Sequence, residues 1–226
     1  MNKPVIITID GPAGAGKSTI AAQLAQRLGV AYLDTGAMYR AITWAALQQN
    51  LKLDDIEAVA ALAASARIEM SGELPNNKVW LDGRDITADI REQRVTALSH
   101  KIAQNPLVRN IMVNQQRKIA AYAGSIVTEG RDQGSEVFPD AIHKFYLDAD
   151  TERRAQRRFN ELKDKGLVFD FEKIRDAIVK RDRRDSNREV APLRKAEDAV
   201  SIDSTELSIE EVLDRMCALI KENCKP

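Results

Sequence analysis

GPAGAGKS, residues 11 to 18, fills every position of the pattern G-x-x-x-x-G-K-[ST]. It stands between the apolar run VIITID, Val5 to Asp10, and the helix-like stretch STIAAQLAQRLG. Strand, glycine loop and helix in that order make a phosphate cradle. Glycines let successive backbone N–H groups turn inward, and the following helix adds the positive end of its dipole. In such a loop Lys17 reaches the β- and γ-phosphates and Ser18 offers its hydroxyl to Mg²⁺. The chain is therefore expected to bind a nucleotide.

Outward from the loop, helical periodicities alternate with short β-branched runs, the pattern of helices packed on a parallel sheet. The expected strands are Val5 to Asp10, Val30 to Asp34, Ser125 to Glu129, Lys144 to Asp148 and Ala199 to Asp203. Helix starts are signalled by Asn105 before Pro106, by Asp54 with Glu57 three residues on, and by Ser208 with Glu211 three residues on. Between Arg67 and Ile86 the rhythm changes. Short alternating runs there are separated by Gly-Glu-Leu-Pro-Asn-Asn and Asp-Gly, the signature of a small antiparallel β insertion.

The 226 residues, 44% hydrophobic and 30% charged, suit one compact α/β domain. Thirty-four basic and thirty-four acidic side chains cancel, so no overall field draws the protein to nucleic acid or to an acidic membrane. Cys217 and Cys224, the two cysteines, suit a reducing compartment. No run approaches membrane-spanning length and no leader pattern precedes the first strand, so a soluble cytoplasmic protein is expected.

Absent motifs narrow the nucleotide chemistry. No D-x-x-G occurs, and Asn77-Lys78-Val79-Trp80 ends in tryptophan where a guanine reader needs aspartate. The strands end in Thr128-Glu129-Gly130 and Leu147-Asp148-Ala149 without the Asp-Glu pair of hydrolytic motors. Arginine is what the sequence supplies instead. Arg40 ends DTGAMYR, Arg109 follows Pro106, and Arg131 and Asp132 lie in TEGRDQG. Arg153, Arg154, Arg157 and Arg158 share one side of a helix, and KRDRRDSNR adds Arg181, Arg183, Arg184 and Arg188 among Asp182 and Asp185. Any single group reads equally well as a solvated face, but together they suit a site crowded with phosphate oxygens.

At these residues the chain resembles the bacterial cytidylate kinases, nucleoside monophosphate kinases that move the ATP γ-phosphoryl group to CMP or dCMP. The resemblance rests on ITIDGPAGAGKST (7 to 19), LDTGAMYR (33 to 40), EGRDQGSEVFPDA (129 to 141) and RDRRDSNREVAPL (181 to 193). It implies a P-loop kinase fold with a five-stranded parallel sheet ordered 2-3-1-4-5. It also implies a single domain over 1–226: a core of 1–34, 105–150 and 189–226, a monophosphate-binding region with the β insertion at about 35–104, and a mobile lid at about 150–165.

Carried over by motif, Gly11, Pro12, Ala13, Gly14, Ala15, Gly16, Lys17, Ser18 and Thr19 hold the ATP phosphates, with Mg²⁺ on Ser18. Thr35, Arg40, Arg109, Arg131, Asp132, Arg181, Asp185 and Arg188 face the monophosphate. Lys17, Arg131, Arg188 and the lid's Arg157 serve catalysis. An aspartate accepts from the cytosine amino group and an arginine donates to O2 and N3, so CMP and dCMP are the expected acceptors, with UMP weak. A monomer without nucleic-acid or membrane partners is expected. One position departs from the family: a serine that holds the base is replaced by His100. Ser99 shifts in, His100 donates instead, or the contact is lost. Trp44, in AITWAAL, reads as core packing.

Overall fold

A computed structural model describes residues 4–71, 77–164 and 166–222. In chain order it contains β1 (Ile6–Asp10), α1 (Lys17–Leu28), β2 (Ala31–Asp34), α2 (Thr35–Gln48), α3 (Ile56–Ser65), β3 (Ile68–Ser71), β4 (Lys78–Leu81), β5 (Arg84–Asp85), α4 (Gln93–Gln104) and α5 (Pro106–Ala123). There follow β6 (Ile126–Gly130), β7 (His143–Asp148), α6 (Thr151–Asp164), α7 (Phe171–Asn187), β8 (Val200–Asp203) and α8 (Ile209–Glu222). The main sheet runs β2-β6-β1-β7-β8 with every pairing parallel. Counting only those strands, the order is the expected 2-3-1-4-5.

β1 is central and buried along nearly its whole length, as a strand covered on both faces requires, with Ile7 and Ile9 on one face and Ile6, Thr8 and Asp10 on the other. Ile7 and Ile9 pack with Leu24, Leu147, Leu213 and Met216 beneath α1 and α8. On the other face Met38, Ile42, Ile102, Val108, Met112 and Ile126 join α2, α4 and α5 to the sheet. Trp44 is buried in that second cluster, with the Arg84 guanidinium 4.8 Å from its ring centre. The small sheet β3-β4-β5 is antiparallel, and Asp82 and Gly83, both at positive φ, make its β4–β5 turn. Of the other hairpin signal, residues 72–76 lie outside the described residues, as does Cys224. No helix among the described residues is long and apolar enough to cross a membrane.

The starts of the helices follow the capping chemistry, with one correction. Asn105 Oδ1 accepts from the N–H groups of Leu107 and Val108 at 3.0 and 3.2 Å, and Pro106 takes the first helical position. Ser208 and Glu211 exchange bonds as a complete capping box. At α3 the cap is Asp55, which accepts from Ala58 N–H at 3.0 Å, and not Asp54. Asp54 is drawn aside by Lys101, whose Nζ sits 2.9 Å from both of its carboxylate oxygens.

Candidate active site

The cradle forms where β1 ends. Gly11 has φ +151°, and a Cβ there would lie 2.0 Å from the Leu147 carbonyl oxygen, so only glycine lets the chain leave the sheet at this point. The first bond of α1 runs from Ile20 N–H to Gly16 O, which leaves the amides ahead of it to face an anion. Lys17 Nζ donates to the Pro12 carbonyl at 2.7 Å, folding the lysine back over the loop. Its side chain is buried, and burial with Arg131 nearby pushes its ammonium down to about 7, against the pull of Glu129. Ser18 and Thr19 are exposed beside it.

The crest of the loop is held from outside. Ala13 N–H donates to Asp182 Oδ1 at 3.0 Å, and its carbonyl accepts from Arg154 Nη1 at 2.8 Å. Arg154 is itself pinned by Ala149 O at 2.9 Å, Thr151 Oγ1 at 3.0 Å and Asp182. Below the loop Asp10 accepts from the N–H groups of Gln133 and Gly134, each at 2.8 Å. Burial pushes this carboxyl up to about 7, opposed by those two amides.

Beside the cradle stands a cluster of guanidiniums arranged around two buried carboxylates. Asp185, on the last turns of α7, takes Arg131 Nε at 3.0 Å and has the Nε atoms of Arg181 and Arg184 at 3.9 Å. Burial pushes the Asp185 carboxyl up, but Arg131, Arg181 and Arg188 outweigh it and hold the group below its ordinary value. Asp132 pairs with Arg109, and Arg109 Nη1 lies 3.4 Å from the Tyr39 hydroxyl. Burial raises the Asp132 carboxyl against the pull of Arg109 and Arg188. Arg188 donates to the Ala191 carbonyl and sits within the field of both carboxylates. Dense surroundings and Arg131 push Arg181 down to about 10, although 41% of its side chain stays accessible to moderating solvent.

Thr35 Oγ1 donates to the Glu129 carbonyl at 2.7 Å, and Arg40 Nη2 meets Asp34 at 3.1 Å. Arg40 Nε is buried without a hydrogen-bond partner among the described residues. Thr35, Arg40, Arg109, Arg131, Asp132, Arg181, Asp185 and Arg188 thus occupy one connected neighbourhood next to Lys17. His100 borders it: its Nδ1 is 2.7 Å from the Ala97 carbonyl, and Arg184 and Asp185 act on it electrostatically. Next to it Ser99 Oγ donates to Thr96 O at 3.0 Å.

Arg157 is not brought to the cradle. Its Nη1 donates to Ser204 Oγ at 3.1 Å and its Nη2 to the Ser204 carbonyl, so it braces the segment after β8. The α6 arginine on the loop is Arg154, one helical turn earlier. Sequence reasoning also passed over Asp10, Asp34 and Glu129 as site residues. Each lies at the carboxyl edge of the sheet, Asp10 and Asp34 as the last residues of their strands and Glu129 one before the last, and that position is the available signal.

The chain matches the family model described as "Cytidylate kinase" over residues 7–222. A cytidylate kinase of Caldanaerobacter subterraneus subsp. tengcongensis is 46% identical over 225 residues, covering 100% of this chain and 98% of that one. A cytidylate kinase of Geobacillus sp. (strain WCH70) is 46% identical over 222 residues, covering 98% and 99%. Among solved structures, TT1252 from Thermus thermophilus superposes with a TM-score of 0.52 at 19% identity over 100% of both chains, a likeness of fold alone.

Proposed function

The chain belongs to the cytidylate kinase family, and from that premise we propose how its residues carry the reaction. The enzyme transfers the γ-phosphoryl group of ATP to CMP or dCMP, giving ADP and CDP or dCDP, in pyrimidine nucleotide metabolism. A monophosphate oxygen of the acceptor forms the new bond to Pγ as the bond from Pγ to the β–γ bridging oxygen breaks. That oxygen is already anionic near neutral pH, so alignment and charge neutralisation do most of the work.

Gly11 to Thr19 hold the donor phosphates, with Lys17 on the β- and γ-groups. Arg131 and Arg188 neutralise the transferring group. Thr35, Arg40 and Arg109 bind the acceptor phosphate. Arg181, Asp132 and Asp185 read base and sugar, and His100 lines the edge of that pocket. Arg157 reaches the transferring group only when α6 closes on the cradle, the movement that makes residues 150–165 a lid and 35–104 the acceptor-binding region. The observation that carries this assignment is the pair of buried carboxylates, Asp132 and Asp185, that gather arginines from α5, from the residue after β6 and from α7 beside Lys17.

The residues present fit a Mg²⁺ ion. Ser18 offers an exposed hydroxyl at the start of α1. Glu129 offers a buried carboxyl that makes no side-chain hydrogen bond among the described residues and lies in the field of Lys17. These two would hold the ion, which supplies neutralisation of the donor phosphates. We further propose a monomeric cytoplasmic enzyme that uses UMP poorly, because the donor and acceptor polarity of Arg181 and Asp185 suits cytosine.

An acceptor panel of CMP, dCMP, UMP, AMP, GMP and shikimate, assayed for ATP-dependent ADP release, tests the reading. CMP and dCMP should lead, UMP should trail and the others should be silent. Faster turnover of AMP or shikimate would refute it.

A further inference from the structure

Asp10 is a buried carboxylate that makes no hydrogen bond to the cradle's lysine or to the acceptor arginines, yet it ties the strand that leads into the cradle to the turn that follows Arg131 and Asp132. Asp10 is the last residue of β1, joined by its own peptide bond to Gly11, where the cradle begins. Its two carboxylate oxygens are divided between two amides, Oδ1 taking Gln133 N–H and Oδ2 taking Gly134 N–H at 2.8 Å each. Only 3% of the residue is accessible to solvent, so these bonds form out of water, where a charge-assisted bond is strong.

The turn it holds is unusual. Residues Gln133–Val137 make a single wide turn, with Phe138 N–H bonded to the Gln133 carbonyl at 2.7 Å and Val137 N–H to the Asp132 carbonyl at 3.3 Å. Such wide turns are rare and occur at functional sites. It is pressed onto the sheet: a Cβ on Gly134 would come within 2.9 Å of Thr8 Oγ1 and 3.2 Å of Lys144 Cδ. The two residues immediately ahead of the turn are Arg131 and Asp132, whose side chains hold Asp185 and Arg109.

We infer that Asp10 is a positioning residue that sets the distance and register between the donor cradle and the acceptor's Arg131–Asp132 pair. This rests on the kinase reading above. One carboxylate fixes the backbone on which both acceptor side chains are mounted, relative to the strand from which the cradle springs. An asparagine here keeps one acceptor oxygen and turns an NH₂ group toward an amide donor, so one bond is lost and a repulsion replaces it. The turn then shifts, and Arg131 and Asp132 shift with it. The cradle keeps its anchor, since Lys17 is held by Pro12 and only the weak field of Asp10 on its ammonium is lost.

The test compares wild type with Asp10→Asn, Arg131→Lys and the double variant, reading kcat and KM for CMP and the Kd of ADP alone. Asp10→Asn should lower kcat/KM for CMP by about tenfold or more while the ADP Kd stays within about twofold. The double variant should be no worse than Arg131→Lys, because Asp10 acts through that residue. Should Asp10→Asn not fold, Asp10→Glu keeps the charge while its extra methylene displaces the turn, and it should show the same acceptor-selective loss. Equal weakening of ADP and CMP, unchanged CMP parameters or additive losses would overturn the inference. A wild type that makes no ADP in response to CMP would overturn the kinase reading instead.

Discussion

The guanidinium of Arg131 and the carboxylate of Asp185 meet with Nε 3.0 Å from Oδ2, tying the end of β6 to the last turns of α7. With 16% and 8% of the side chains accessible, the pair is largely out of solvent. Removing one partner of such a pair strands the other. Asp185→Ala should therefore destabilise the protein by about 3 kcal/mol, the scale for breaking a buried ion pair. Urea denaturation measures the loss, and CMP-saturation kinetics should show a raised KM. A variant as stable as wild type, with unchanged KM, would mean the pair matters neither to fold nor to site.

Lys17 gives a signal that does not need turnover. In the nucleotide-free protein burial and Arg131 push its ammonium down to about 7, so at pH 8 the amine is mostly neutral. Donor phosphates placed against it favour the charged form and raise its affinity for a proton. ADP binding at pH 8 should consequently take up protons, and the uptake should shrink toward pH 6, where Lys17 is already charged. Calorimetry in buffers of different ionisation enthalpy reads this directly. Net release at pH 8, or the same uptake in Lys17→Met, would contradict the assignment.

How far the sequence reaches is clearest at neighbouring pairs. Strand positions follow from apolar runs, whereas the 2-3-1-4-5 order comes only with the resemblance to the cytidylate kinases. Asp54 and Asp55 cannot be ranked as caps from spacing, since the choice depends on Lys101, which α4 brings from 47 residues away in the chain. Arg154 and Arg157 lie one turn apart on the same helix. Periodicity assigns both to one side but cannot show that one reaches Ala13 and the other Ser204. Asp10 and Glu129 look like ordinary strand ends, because the turn that returns to Asp10 is more than 120 residues later.

The two α6 arginines, Arg154 and Arg157, should separate in binding. Arg154 is bonded to Ala13 and Asp182 at the crest of the cradle, so Arg154→Ala should weaken ADP binding by about tenfold, the scale of one hydrogen bond to a charged group. Arg157→Ala should leave ADP affinity near wild type and lower kcat, because its work requires closure with both nucleotides present. Titration calorimetry beside steady-state kinetics distinguishes the two, and the opposite order would exchange the roles.

Asn105 offers a stability test away from the chemistry. Its Oδ1 caps α5, which carries Arg109, and its Nδ2 donates to the Ile56 carbonyl at 3.0 Å. Asn105→Ala should cost about 1 kcal/mol of folding free energy, the usual scale of a lost cap. Thermal denaturation measures it, and a gain in stability would show that the cap is not needed.

The most direct measurement follows the phosphoryl group itself. ATP labelled at the γ-phosphate, incubated with CMP, Mg²⁺ and the enzyme, should place the label in CDP, and Lys17→Ala should slow that transfer by about 10²-fold or more, as expected when one preorganised charge is removed. Label appearing in inorganic phosphate with none in CDP, or a Lys17→Ala enzyme that transfers at the wild-type rate, would contradict a cradle built to pass phosphate between two nucleotides.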